Sequence, residues 1–296
     1  MEPNGVLLDK PLFGGKIIVI LYDVDETFGK EILDETYEFA LKLQKTFNFY
    51  DNESELSILN KKRKLTVSHD LLHVIKNALG FCRLTEGQYD ISLGKNILEK
   101  KEGKEVKQLS KLECSYKDIK ILGGTIILKH PDAMIDLGSI AKGYITDKIV
   151  EFLEKQGIEN FIIDSRGDIF IFGDYMHILK IQHPREKDKS VCKLKLNNIA
   201  VATSGDYRQY KDSFDNSHIL NQKEIVSITV AADTLEQADA WSTALFVCND
   251  KKRGELLKNK KEIKVLTIDN ALALKTYNGF DSLFYEKDNK EAMITK

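Results

Sequence analysis

Apolar positions recur along this chain with two spacings, about two residues and about 3.6, and these lay out its elements. Lys16 to Tyr22 is an almost unbroken apolar run and reads as a buried strand. From Gly29 to Asn48, the residues Ile32, Leu33, Phe39, Ala40, Leu43 and Phe47 fall on one face, which predicts a helix packed on a core. The polar turn Phe49-Tyr50-Asp51-Asn52-Glu53-Ser54-Glu55-Leu56 leads into a short helix, and Ser68 is placed to cap a helix running through Cys82. Further on, Ile126 to Leu128 and then Met134 and Ile135 carry the chain to Asp136. Gly138 turns it into an amphipathic segment ending at Gly157, which gives a strand, a tight turn and a helix beginning near Ser139.

The later part is richer in strands. Phe161 to Asp164 and Ile169 to Phe172 flank the turn Ser165-Arg166-Gly167-Asp168, which lies on the side of the Ser139 helix start if the sheet is parallel there. Another strand begins at Met176, Leu194 to Ala202 reads as a hairpin around Asn197-Asn198, and Ile225 to Ala231 is a further strand. Thr234 opens a helix, and Val265 to Ile268 with Leu272 to Tyr277 form a last hairpin. Lys100 to Lys107 is a charge run that reads as a solvated loop or helix face. The order predicts an α+β fold, with mixed sheets flanked by helices and two intimately packed lobes in one chain. The folded unit is expected over residues 13–285, with 1–12 and 286–296 as polar termini.

Composition narrows the partners. The 296 residues, 42% hydrophobic, suffice for one large core or two modest ones. A formal charge of -2, from 44 basic and 46 acidic residues well mixed along the chain, leaves no electrostatic footprint for nucleic acid or an anionic membrane. Cys82, Cys114, Cys192 and Cys248 lie far apart with no C-x-x-C spacing, so free thiols in a reducing compartment are expected, and the cytoplasm is the default location. Near the N-terminus the only continuous apolar run, Ile17 to Leu21, is stopped by Asp23 and is too short for a signal core or a membrane-spanning segment.

Three places carry candidate chemistry. A helix starting near Ser139 aims unpaired N–H groups and the positive end of its dipole at whatever lies above the strand end, with Lys142 adding a full charge and Asp136 a carboxylate. Such a start either holds a phosphate or is ordinary α/β packing. Gly87-Gln88-Tyr89-Asp90 puts an aromatic and a carboxylate together at an element end. Asp239 and Thr243 stand at i and i+4 of a helix, where their oxygens either share a hard cation or the threonine bonds back to a helix carbonyl.

Six stretches, in order, resemble one family, the FAD:protein FMN transferases or ApbE-like flavin transferases. Asp-Leu-Gly-Ser-Ile-Ala-Lys-Gly-Tyr at 136–144 matches the family's D-L-G-x-I-A-K-G-Y. The others are 47–56 (Phe-Asn-Phe-Tyr-Asp-Asn-Glu-Ser-Glu-Leu), 87–90 (Gly-Gln-Tyr-Asp), 202–207 (Ala-Thr-Ser-Gly-Asp-Tyr), 217–219 (Ser-His-Ile) and 238–245 (Ala-Asp-Ala-Trp-Ser-Thr-Ala-Leu). The resemblance implies an ApbE-like fold and a magnesium-dependent enzyme. Such an enzyme cleaves FAD and attaches FMN by a phosphoester bond to a Thr or Ser of an acceptor flavoprotein, with release of AMP.

By resemblance, Asp239, Thr243 and the backbone oxygen of Ser139 hold the metal. His218 is the base, and Phe13, Tyr50, Gln88, Tyr89, Asp90, Asp136, Lys142, His218 and Ile219 line the flavin nucleotide site. The chain departs from the family pattern after His218, where Ile219-Leu220-Asn221-Gln222-Lys223 shortens a loop, and at Ser165-Arg166-Gly167-Asp168, where the usual turn is G-G-D. Arg166 then either contacts phosphate or faces solvent. Many relatives are exported lipoproteins; the lack of such a leader here implies cytoplasmic acceptors or a trimmed start. Hydrolysis of FAD to FMN and AMP, and FAD binding without catalysis, are the alternatives.

Overall fold

The structure, a computed structural model, describes residues 5–101, 114–186, 188–206, 224–285 and 294–295. Its first elements are β1 (Gly5–Leu12), β2 (Gly15–Tyr22), α1 (Glu26–Phe47), α2 (Glu55–Lys62), β3 (Lys64–Thr66), α3 (His69–Leu84) and α4 (Gly94–Lys101). Then come β4 (Ile119–Leu122), β5 (Thr125–Leu128), α5 (Ala141–Lys155), β6 (Phe161–Ser165), β7 (Asp168–Phe172), β8 (His177–Gln182) and β9 (Ser190–Leu196). The last are β10 (Ile199–Gly205), β11 (Ile225–Ala232), α6 (Leu235–Val247), α7 (Asp250–Leu257), β12 (Lys264–Asp269), β13 (Leu274–Tyr277) and β14 (Ile294–Thr295).

One large sheet runs β1-β2-β6-β7-β10-β11-β12-β13-β14, with β3-β5-β4 as a second sheet and β8-β9 as a two-stranded ribbon. The large sheet is antiparallel apart from β13 and β14, which pair in parallel. Its two faces bury different cores. On one, Ile228, Val230 and Ala232 of β11 join Ile32 and Leu33 of α1, Val74 and Ile75 of α3, Ile149 of α5 and Leu245 of α6. On the other, Val226 and Ala231 join Leu194 and Leu196 of the ribbon and Phe280. Successive residues of β11, buried along its whole length, point to opposite faces and so serve both cores. A register shift between Ile225 and Ser227 changes the phase, so that Ile225 and Ile228 lie on the same side. This is the expected α+β architecture, and no helix among the described residues is long and apolar enough to cross a membrane.

Local chemistry sets most helix starts. Asp25 caps α1 by accepting the N–H groups of Thr27 and Phe28 at 2.9 and 3.1 Å, so the helix begins before the expected Gly29. Ser68 accepts the Leu71 N–H and Thr234 the Gln237 N–H, as their positions predict.

Three expectations need correction. Residues 5–12, read as part of a polar terminus, form β1, which pairs with β2 through all eight residues and buries Leu8 and Leu12. Leu194 to Ala202 is not a hairpin: β9 pairs with β8, whereas β10 pairs with β7 and β11. Asn198, at φ 45°, accepts the Gly173 N–H at 2.7 Å and steers the chain from the ribbon into the large sheet. Next, β6 and β7 are antiparallel, so a parallel sheet does not bring their turn to α5. The start of α5, expected near Ser139, falls at Ala141, whose N–H already reaches the Leu137 carbonyl at 2.9 Å, with residues 138–140 in a turn.

Candidate functional site

The path into α5 is held by side chains of α2 and its end. Asn60 donates to the Ile135 carbonyl and accepts the Ile135 N–H, both at 2.8 Å, and Arg63 donates to the carbonyls of His130 and Ala133. Ile91 to Gly94 runs alongside: the N–H groups of Met134 and Asp136 reach the carbonyls of Ser92 and Ile91, each at 2.9 Å. Asp136 then accepts the Gly138 N–H at 2.7 Å, closing the turn that the Gly138 position predicted.

Ile140 stands at the N-cap of α5 and has no side chain able to cap it. The missing acceptor comes from α6, where the Asp239 carboxylate takes the Gly143 N–H at 3.1 Å. This needs a close helix crossing, and Gly143 allows it: a Cβ there would lie 2.4 Å from the Leu235 carbonyl oxygen.

Lys142 is the centre of charge. Its ammonium pairs with Asp168 of β7 and lies 3.3 Å from the same Asp239 oxygen that meets Gly143. Asp168 also accepts the Thr203 N–H of β10 at 3.0 Å. The three side chains are 18%, 6% and 8% exposed, so the pairs are only weakly screened by solvent. Lys142 therefore does not stand as a lone charge at the helix start, as its sequence position suggested. Asp168 was named only as part of a turn, although the matching Asp of the family's G-G-D was a signal for it.

The loop of Gln88 to Asp90 comes beside the same helix start. Tyr89 is buried, and its hydroxyl meets the Ser139 hydroxyl at 2.7 Å. Burial drives the Tyr89 phenol well above its usual range; the Ser139 bond opposes this, while Asp239 and Asp136 both lie near enough to add to it. Asp90 turns into its own loop, accepting from the Ser92 N–H and hydroxyl and the Tyr116 N–H, and Gln88 is exposed.

Thr243, one turn beyond Asp239, is bonded to the Ser204 hydroxyl of β10 at 3.2 Å, and Ser204 also meets Ser242 at 2.8 Å. The back-bond to a helix carbonyl is made by Ser242, to Asp239 at 2.9 Å. The donor chemistry fits the hard cation that the resemblance implies: a carboxylate, a hydroxyl and a carbonyl are all oxygen donors. Both contacts of Asp239 to α5 use Oδ2, and Oδ1 receives no hydrogen bond from the described residues. No cluster of three His, Cys, Asp or Glu side chains suited to a metal occurs among the described residues.

Phe13 and Tyr50 are placed by other neighbours. Phe13 sits in the β1–β2 turn at φ 57°, its N–H on Gln44 at 2.5 Å and its carbonyl on the Arg166 guanidinium at 2.7 Å. Arg166 is thus placed on the β1–β2 turn, at φ 60°. Tyr50 is 57% exposed and packs edge-on against Phe49. His218 and Ile219 lie outside the described residues.

Comparison with known proteins agrees with this architecture. The chain is 30% identical over 258 residues to the FAD:protein FMN transferase of Vibrio cholerae, covering 78% of this chain and 75% of that protein. It is 27% identical over 304 residues to the protein of that name from Haemophilus influenzae, covering 90% and 88%. Among solved structures, the ApbE protein of Thermotoga maritima superposes with a TM-score of 0.82 at 24% identity, over 96% of this chain and 100% of that one. The flavin transferase ApbE from Vibrio cholerae gives 0.79 at 24% identity, over 95% and 99%. Residues 14–267 match the ApbE family, and the chain belongs to it.

Proposed function

We propose that the protein is a magnesium-dependent FAD:protein FMN transferase that joins FMN to a Thr or Ser hydroxyl of an acceptor protein and releases AMP. The observation that carries this is the meeting of Asp239, Lys142 and Asp168 at the start of α5, with Ser139 and Tyr89 beside them. The relatives named for this activity give the reaction class, a transferase.

In this reading the Asp239 carboxylate, the Thr243 hydroxyl and the Ser139 carbonyl would hold Mg2+. When bound, the ion would supply positive charge to offset that of the pyrophosphate. The chain's own groups do the rest. Gly143 N–H and Lys142 fix the Asp239 carboxylate in place, and Ser204 orients the Thr243 hydroxyl. Tyr89, kept protonated by burial, holds Ser139 in place. His218 takes the acceptor's proton as the new phosphorus–oxygen bond forms and the bond to AMP breaks.

Incubation with FAD, Mg2+ and a cell extract should yield acceptor peptides carrying the mass of FMN on Thr or Ser, read by mass spectrometry. His218→Ala should slow labelling by on the order of 10²–10⁴-fold while FAD affinity is retained. FAD turned over only to free FMN and AMP, with no labelled peptide, would instead mean that water is the acceptor.

A further inference from the structure

Helices α5 and α6 cap each other. Asp239 of α6 takes an N–H from the first turn of α5, at Gly143, and Asp147 of α5 takes the N–H groups of Leu235 and Glu236, the first two residues of α6, at 2.7 and 2.8 Å. The second contact is more than a cap. Thr234 already accepts the Gln237 N–H as a local cap, and Asp147 ties the two donors before it to a different helix. Leu235 and Glu236 are also the residues whose backbone lies against Gly143, so Asp147 grips α6 at the crossing itself.

We propose that Asp147 is the positioning residue of the Asp239 site: by holding the first turn of α6 to α5, it fixes where the Asp239 carboxylate sits against Lys142 and Gly143. It acts through the helix and not on the nucleotide. The inference rests on Asp239 being the cation's carboxylate ligand.

The grip depends on charge. Burial pushes the Asp147 carboxyl up to about 7, Glu236 of α6 and Glu151 of α5 push the same way, and the two N–H bonds oppose them. Glu236 is in turn engaged by His73 of α3 at 3.1 Å, and Glu151 by Lys148 at 2.8 Å. Ionised, Asp147 offers a full charge to the positive end of α6, but burying that charge costs the folded chain more than the two N–H bonds return. The folded chain binds this proton more tightly than the unfolded chain. The group's contribution to folding is therefore complete below the ordinary Asp value of 3.8 and is lost as pH rises to about 7.

Asp147→Asn keeps the shape and removes the charge. The Mg2+ concentration giving half-maximal AMP release from FAD should rise about tenfold, the scale of a lost charged cap, with metal-free FAD affinity unchanged by flavin fluorescence. In the metal-free protein, the part of the Tm-against-pH slope due to Asp147, between pH 3.8 and about 7, should disappear. A merely structural role would lower Tm at every pH and leave Mg2+ half-saturation alone. Asp147→Glu retains the charge on a longer arm; it should fold where the Asn variant does not and show a rise of the same sign. A wild type that releases no AMP with Mg2+ overturns both the Asp239 reading and this inference. A wild type that does so, with half-saturation unchanged in the variants that fold, overturns the role of Asp147 alone.

Discussion

Asn60 grips the backbone of Ile135 at both ends, donating to its carbonyl and accepting its N–H at 2.8 Å each. This pairing fixes the residue next to Asp136, and Asn60 is 7% exposed, so water cannot readily replace it. Asn60→Ala strands two buried backbone groups and should cost about 2–4 kcal/mol in urea unfolding. Asn60→Asp, which loses the donor and buries a charge, should be no better.

Gly143→Ala tests the helix crossing. The added Cβ would lie 2.4 Å from the Leu235 carbonyl oxygen and 2.7 Å from the Glu236 Cα, and neither is a flexible side-chain end. The usual helix-forming gain from Gly to Ala should therefore be reversed, with a net loss of about 1–3 kcal/mol. A stability equal to or above that of the wild type would show that the helices are not in backbone contact.

How far the sequence could be read depended on whether the partner was near in the chain. Ser68 and Thr234 cap their own helices, and both starts were legible from local chemistry. The start of α5 near Ser139 was legible to within two residues, but the acceptor of its Gly143 N–H, Asp239, was not, being 96 positions away. The pairing of Lys142 with Asp168 was missed for a similar reason, since a turn motif does not say which helix faces it. Asn197-Asn198 has sound turn chemistry, yet that chemistry cannot show that the following strand joins another sheet. Tyr89, Ser139, Lys142, Asp239 and Thr243 were found through motifs, and the structure gathers them around α5 and α6 in two linked groups, Tyr89 with Ser139 and Lys142 with Asp239.

Lys142→Ala leaves the carboxylates of Asp168 and Asp239 buried without their cation. Stability should fall by about 3 kcal/mol at neutral pH, because buried charges are left uncompensated. Guanidinium unfolding checks the size, and Lys142→Met, which keeps most of the packing, should cost about as much. A loss confined to Lys142→Ala would mean that Lys142 contributes packing alone.

All four cysteines are buried and unpaired. Burial pushes the thiols of Cys82 and Cys192 up to about 12 and that of Cys248 to about 11, and it also raises Cys114. Almost no thiolate exists near pH 8, so a thiol reagent should find the native protein inert. In urea the same reagent should count four thiols. Rapid reaction of one thiol in the native state would identify a locally open segment.

Whether Asp239 holds the cation for flavin transfer is tested most directly by AMP release from FAD in the wild type, Asp239→Asn and Thr243→Ala, with and without Mg2+, alongside flavin-fluorescence measurement of FAD binding. AMP should form only with Mg2+ in the wild type, with a much larger loss in Asp239→Asn than in Thr243→Ala and FAD still bound by both variants. Undiminished AMP release by Asp239→Asn at ordinary Mg2+, or FAD bound by the wild type with no AMP at saturating Mg2+, would contradict this.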